Sequence, residues 1–213
     1  MPSSEWDRFM ENFFGDPYMM WHDGIDPTSV LDLKGDEREK AEEMLIESMK
    51  EGSYWAPMGL AELKSKKALP ELKDLLTKSS GKMRIEISVA LCTIEETHEY
   101  VPVIIDVLKQ NPSEYIRLDA ARALRYYPTH SVVDALFDAV LDPAYLVRNH
   151  ACESLLHIHG LQAIISNHRE IFKHIIFDYP EEEGADTWEA YGHYRQAVEL
   201  LRELISEEGT PIP

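Results

Sequence analysis

The middle of the chain repeats a pattern of apolar and polar positions that predicts pairs of amphipathic helices. Three segments share one motif, an apolar residue, an arginine, and then small and apolar residues at helical spacing: 83–91, 116–124 and 147–155. Their arginines, Arg84, Arg117 and Arg148, are 33 and 31 residues apart. Apolar residues three and four apart form one face of a helix. The spacing therefore predicts a structural repeat of 31–33 residues.

Each copy of the motif follows another helical pattern and a turn, so the repeating unit is predicted to be helix–turn–helix. The turns carry Gly, Ser, Asn and Pro, while Pro70 and Pro102 stand in a first helical turn, where a missing amide costs no hydrogen bond. One pair cannot bury its apolar stripe alone, but stacked pairs can. We therefore expect an all-α fold, an α-solenoid (superhelix) of about five antiparallel helix pairs.

The repeat also sets the predicted domain boundaries. Residues 1–35 are predicted to form an N-terminal cap segment, 36–160 four helix pairs, 161–208 a C-terminal helix pair with an acidic loop, and 209–213 a flexible tail. Within the first segment we expect a short helix at 5–14 and a loop at 15–30, and Asp36 is the predicted N-cap of the first repeat helix. A cap is favoured because terminal repeats must cover their apolar faces, although a binding arm stays open.

The motif itself resembles a known family. Asp-Pro-x-x-x-Val-Arg-x-x-Ala-x-x-x-Leu, at residues 142–155, is similar to the HEAT repeat, particularly the short bacterial HEAT-like repeats also found in phycobilin lyases. The resemblance covers residues 37–160, with departures at Ala56, which replaces the arginine, and at Ile87, which replaces a small residue. It implies a solenoid whose second helices line a concave face.

Composition and charge limit the classes of molecule that the chain is expected to bind. The 213 residues include 21 Lys and Arg against 39 Asp and Glu, a net charge of −18. Phosphate backbones and anionic lipids repel such a chain, so we expect neither nucleic-acid nor membrane binding. The charge is −8 over residues 1–66, −3 over 67–160 and −7 over 161–213. Two distant cysteines, Cys92 and Cys152, and a start without a signal-peptide pattern predict a cytoplasmic protein.

The resemblance also implies which residues face a partner. Positions two, six and ten, counted from the apolar residue before each arginine, are expected to point away from the core. Arginine and tyrosine are common anchors of protein interfaces. The candidate protein-binding residues of the concave face are Arg122, Tyr126, Tyr127, Asn149, Glu153 and His157, with Tyr191 and Arg195 on the last helix.

The repeated arginines have a different predicted role. Arginine at this position in the resembled family usually pairs with an acid of the inter-helix turn or of the neighbouring repeat. Arg84, Arg117 and Arg148 are therefore interpreted as a structural ladder, with an anion-binding ladder as the alternative. No catalytic residue, cofactor or metal ligand is predicted, because the sequence has no phosphate-binding loop, nucleophile elbow or zinc motif. Whether the late histidines bind metal stays open.

These observations favour a non-enzymatic scaffold or adaptor that binds a protein or peptide, expected to be basic because the chain is acidic. A narrower form of this hypothesis is an inhibitor or immunity protein that neutralises a basic toxin. The alternative, implied by the resemblance, is a HEAT-like enzyme or chaperone-lyase similar to bilin lyases, which would act on a small molecule in a pocket near Cys92 or Cys152. In solution we expect a monomer or a weak dimer.

Overall fold

The computed structural model describes residues 2–177 and 187–212, and within these ranges it contains helices and no strand. The predicted acidic loop at 178–186 lies outside the described residues. Three short 3-10 helices occupy Pro27–Leu31, Lys66–Ala68 and Ile165–Asn167. The α-helices are α1 (Ser4–Phe14), α2 (Pro17–Asp23), α3 (Gly35–Lys50), α4 (Ala56–Glu62), α5 (Leu69–Lys78), α6 (Gly81–Glu95), α7 (Val101–Gln110), α8 (Glu114–Leu124), α9 (His130–Ala139), α10 (Tyr145–Ile158), α11 (Arg169–Ile175) and α12 (Thr187–Glu208).

Helix packing follows the repeat. The second helix of one pair packs on the second helix of the next, α4 on α6 and α8 on α10, and also on its own first helix, α3 on α4 and α9 on α10. This is the stacking that buries the apolar stripe of each pair. The predicted fold class, an all-α HEAT-like solenoid, is confirmed. By its internal contacts the chain divides into two compact units, Met1–Val101 and Pro102–Pro213.

In the first unit, α1 covers the first helix pair through aromatic side chains. Phe9 and Phe13 are buried, with ring centroids 5.4 Å apart. A Cβ atom on Gly59 of α4 would lie 2.7 Å from Cζ of Phe13, so glycine alone lets the ring reach the α4 backbone. The Ser3 amide and hydroxyl donate to the Glu37 carboxylate at 3.0 and 2.6 Å, which ties the start of α1 to α3.

Two predictions for the N-terminal segment are wrong. Residues 15–30 form α2 and a 3-10 helix rather than a loop, because the Asp16 carboxylate accepts the amides of Tyr18 and Met19 and so starts a helix. Asp36 is not an N-cap. Lys34 occupies that position, Gly35 turns the chain with φ of +52°, and the Asp36 carboxylate falls inside the first turn, where the helix dipole favours it.

In the second unit, small residues let α8 and α10 approach closely. Ala120, Ala121 and Ala151 are fully buried. The Ser154 hydroxyl of α10 donates to the Ala121 carbonyl oxygen of α8 at 2.9 Å, a direct bond from side chain to a neighbouring helix backbone. The two helices are therefore held in a fixed register.

The first helix of the C-terminal pair, α11, begins at Arg169 and not at residue 161. Residues 161–168 form an irregular stretch and a 3-10 helix, because Gly160, at φ of +70°, ends α10 and the chain then turns to bury Ile165 before α11 begins. The Thr210 amide donates to the His159 carbonyl oxygen at 2.9 Å, and the Thr210 carbonyl oxygen accepts a hydrogen bond from His159 Nδ1 at 2.8 Å. These two bonds hold Thr210 against the end of α10.

Candidate protein-interaction face

Helix α8 presents an arginine and a tyrosine to solvent at its C-terminal end. Arg122 is exposed in the last turn, while Leu118, one turn earlier, is half-buried. The helix ends at Leu124, so Tyr126 lies in the following turn rather than on the helix, with its amide directed at the Ala123 carbonyl oxygen. Its side chain is nevertheless 68% exposed. Tyr126 is therefore exposed as expected, but the predicted helix extended past Leu124, where α8 ends.

Helix α10 contributes the other half of this surface. Asn149, Glu153 and His157 are four residues apart and so follow one side of the helix. Asn149 accepts the Tyr145 hydroxyl through Oδ1 at 3.2 Å. The rings of His157 and Tyr126 meet edge to face, with centroids 5.7 Å apart and planes at 73°. This ring contact joins the end of α8 to α10. We call the surface made by Arg122, Tyr126, Asn149, Glu153 and His157 the α8–α10 face.

Beside this face lies a half-buried histidine. His150 Nδ1 is 3.2 Å from a Glu153 carboxylate oxygen. Burial lowers the pKa of His150, Glu153 opposes this effect, and the positive charges of Arg122 and Arg125 lower it further. This lowered pKa favours the neutral form of His150.

Tyr127, predicted to belong to the same surface, does not line it. Only 9% of this residue is exposed, because the turn after Leu124 directs it into the core of the second unit. The structure adds a residue that the sequence reasoning missed. Tyr115 is 65% exposed and lies seven residues before Arg122, which places both on the same side of α8. The seven-residue spacing is the signal that could have identified it.

Tyr191 and Arg195 lie on α12, which packs on α11, and so belong to a different helix pair from Arg122 and His157. Tyr191 is half-buried, and its ring meets the buried Tyr194 edge to face at 6.1 Å. Arg195 is exposed. Part of Tyr191 is therefore committed to packing inside the terminal pair, whereas Arg195 is available to solvent.

Two of the three repeated arginines, Arg117 and Arg148, are bonded within the protein. In Arg117 the Nε and Nη2 atoms donate to the two Asp142 carboxylate oxygens at 2.7 and 2.8 Å, and Nη1 donates to the Asn111 carbonyl oxygen at 2.9 Å. The pair is largely buried, and the bond to Asp142 raises the pKa of Arg117. Asp142 belongs to the turn before α10, so this pair connects two successive repeats. Arg84 lies half-buried on α6, in the other compact unit.

Arg148 is fully buried and links α10 to the end of α11. Its Nη1 atom donates to the carbonyl oxygens of Asp142 and Pro143 at 2.9 and 2.7 Å. Its Nε atom donates to the carbonyl oxygen of Ile175 at 2.9 Å and Nη2 to that of residue 177 at 3.1 Å. The guanidinium also lies 4.0 Å from the centre of the Tyr194 ring. A group engaged in this way holds the fold together and is not accessible to a ligand.

The late histidines form one close pair. Nδ1 of His174 on α11 and Nδ1 of His193 on α12 are 2.8 Å apart, and His193 also stacks on Phe177 at 4.1 Å. Burial, followed by the nearby His193 and Lys173, lowers the pKa of His174. Over residues 2–177 and 187–212, no group of three or more His, Cys, Asp or Glu side chains is arranged to hold a metal ion. In the same ranges, no helix combines the length and apolar character needed to cross a bilayer.

Stacked helix pairs, joined by an arginine in one repeat and an aspartate in the turn of the next, define a helical-repeat architecture. The sequence model of the HEAT repeat family, described as HEAT repeats, matches residues 101–166. The predicted resemblance is confirmed over this segment, which contains α8 and α10 and therefore the whole α8–α10 face. No curated protein matches the chain. HEAT repeats generally mediate protein–protein interaction, which fits a surface of exposed Arg, Tyr and His side chains.

Proposed function

We propose that this protein is a non-enzymatic scaffold that binds a protein partner through the α8–α10 face. The observation that carries the proposal is the joined set of exposed side chains, Arg122 and Tyr126 with His157, inside the segment that matches HEAT repeats. Arginine and tyrosine supply much of the binding energy in protein interfaces when a partner removes them from water. The face also mixes charged, polar and aromatic groups, as interfaces do.

The proposed partner is basic. The chain carries −18 overall but only −3 over residues 67–160, so the α8–α10 face lies in the least acidic part of an acidic chain. A basic partner would be steered toward the protein by the overall charge and held by the mixed face, because long-range charge controls association rates more than final affinity. An inhibitor or immunity protein for a basic toxin is the specific form of this proposal.

The buried thiols favour a scaffold over a lyase-like enzyme. A lyase of the kind implied by the resemblance would need a reactive group near Cys92 or Cys152. Both cysteines are buried, and burial raises the pKa of Cys152 to about 12. A thiol with that pKa carries almost no thiolate at pH 7 and is a poor nucleophile. We therefore propose that the protein acts by binding a partner at its surface rather than by a reaction in an internal pocket.

A double variant tests the proposal. Affinity capture of partners from the native cell with the intact chain, followed by calorimetry on the purified complex, measures the reference affinity. In Arg122→Ala/Tyr126→Ala the affinity is expected to fall by at least about 100-fold, since two interface anchors are lost. The helical circular dichroism and the unfolding midpoint should stay unchanged, because both side chains are exposed.

The matched control changes α9, the first helix of the pair that contains α10. His130 and Asp134 are exposed on α9, so His130→Ala/Asp134→Ala removes a similar number of surface atoms without touching the α8–α10 face. This variant should keep the affinity of the unmodified chain. Equal binding by both double variants would show that the partner uses another surface. A partner without net positive charge, or an association rate independent of salt, would contradict the basic-partner part of the proposal.

A further inference from the structure

Helix α2 exposes three large side chains to solvent within seven residues. Tyr18 is 64% exposed, Met19 51% and Trp21 70%. The Tyr18 and Trp21 rings have centroids 6.4 Å apart, and Tyr18 also stacks on His22 at 5.7 Å. Single exposed apolar residues are ordinary, but a contiguous group of this size usually marks an interaction site. We call Tyr18, Met19 and Trp21 the α2 patch.

The orientation of α2 is fixed by its two ends and its inner side. Asp16 caps the helix, Pro17 occupies its first turn, and Gly24, at φ of +78°, ends it. Met20 is the buried residue of the helix, at 8% exposure. The following turn is held to α1, since the Asp26 amide donates to Asn12 Oδ1 at 2.6 Å. The fold of the first unit thus fixes the orientation of the α2 patch.

The surroundings of the patch are acidic. Residues 9–33 contain five carboxylates and neither lysine nor arginine. Two of the five, Asp26 and Asp32, are bound by Arg8. The other three, Glu11, Asp16 and Asp23, line a surface depression of about 380 Å³ together with Met19 and Met20. The depression therefore offers two thioethers and three carboxylates beside the exposed rings of the α2 patch.

We propose that the α2 patch and this depression form a docking site for a basic peptide segment of a partner protein, one that carries arginine or lysine next to a large apolar side chain. The charged end of an arginine or lysine side chain would lie near these carboxylates, while its aliphatic part would pack on methionine. A guanidinium also binds favourably over the faces of tryptophan and tyrosine. An anionic lipid surface would be repelled by the same carboxylates. This site belongs to the first compact unit, whereas the residues of the α8–α10 face belong to the second.

Peptide binding to the full chain tests the site. The probe is a fluorescein-labelled dodecapeptide of alternating arginine and leucine, and its affinity is measured by anisotropy. Tyr18→Ala/Trp21→Ala should weaken binding by about tenfold or more, since two aromatic anchors are lost. Asp16→Asn/Asp23→Asn should weaken binding at low salt and have a smaller effect at high salt. Asparagine caps helices as well as aspartate, so α2 is retained in that variant.

The matched control is Tyr115→Ala, which removes an equally exposed aromatic residue from the second unit and should leave the peptide affinity unchanged. A site-specific readout is ¹⁹F NMR of the chain labelled with 5-fluorotryptophan, in which the resonance assigned by Trp21→Phe should shift on peptide addition. Equal weakening by Tyr115→Ala would overturn the proposal and indicate unspecific attraction to an acidic protein. Equal binding of a glutamate–leucine peptide, or dimerisation of the chain that depends on Trp21, would also overturn it.

These outcomes are independent of the α8–α10 face. Arg122→Ala/Tyr126→Ala should bind the cationic peptide as the unmodified chain does, so failure of one proposal leaves the other standing.

Discussion

Replacing Arg148 with methionine removes the buried guanidinium that ties α10 to the end of α11. The perturbation deletes four hydrogen bonds to carbonyl oxygens, two in the turn before α10 and two at or after the end of α11. It also removes the contact between the guanidinium and the Tyr194 ring at 4.0 Å. Methionine is flexible and apolar, so it fills part of the space without burying a new charge.

The size of the destabilisation depends on whether water can replace the lost arginine donor at each carbonyl oxygen. A hydrogen bond to a charged group contributes about 1.5–3 kcal/mol. The carbonyl groups of Asp142 and Pro143 lie in a turn with an exposed proline, where water replaces the lost donor, whereas the bond to Ile175 is buried. Loss of that bond, together with a desolvated cation–π contact of about 2 kcal/mol, sets the expected cost. We expect the free energy of unfolding to fall by about 3–5 kcal/mol, the sum of these two contributions.

Urea denaturation followed by circular dichroism measures this loss, and hydrogen exchange locates it. Amides of α11 and the adjoining residues 176–177 should lose protection first, because they lose the donor that held them. Arg122→Met is the matched control, an exposed arginine of the same unit, and should change stability by less than about 0.5 kcal/mol. A loss below about 1 kcal/mol in Arg148→Met, or exchange that rises evenly along the chain, would refute the reasoning.

Three further predictions concern packing, pH and thiol chemistry. Gly59→Ala places a methyl group against the aromatic ring of α1 and should destabilise the protein by about 1–3 kcal/mol, whereas Gly192→Ala, which meets nothing within 4 Å, should stabilise it by up to about 1 kcal/mol in thermal unfolding. The pKa of His174 in the folded protein lies below its usual 6.5, so stability should decrease as the pH falls below about 6.5, and urea titrations of His174→Gln should show a smaller decrease. Burial raises the pKa of Cys152 to about 12, and Cys92 is also buried, so neither thiol should react with Ellman's reagent at pH 8 until urea unfolds the chain. Fast reaction in native buffer would contradict this burial.

The repeat could be predicted from the sequence because its apolar period extends over many residues. The three segments with the arginine motif lie on α6, α8 and α10, as their spacing predicted. Helix ends were less well predicted, because the backbone conformation of one residue decides them. Gly35 moves the start of α3 by its positive φ, and α8 stops at Leu124, two residues before Tyr126. Neither event changes the pattern of apolar residues.

The candidate surfaces were predicted only in part. Arg122 and Tyr126 are exposed as expected, but Tyr127 is buried, since side chains in a turn no longer follow helical geometry. A binding arm was left open for the N-terminal segment, but the α2 patch was not among the predicted interface residues. A helix of seven residues contains too few positions for a periodic signal, and tertiary contacts alone determine that Met20 is buried while Trp21 is exposed.

The polar bonds between repeats also bear on how the chain folds. Arg117 reaches an aspartate 25 residues ahead, and Ser154 reaches a carbonyl oxygen 33 residues behind, so each of these bonds closes a loop of about one repeat. Short loops cost little chain entropy to close, and proteins dominated by such local contacts fold quickly. A nucleus of two adjacent helix pairs can therefore form before the rest of its unit is ordered, and growth can proceed one pair at a time.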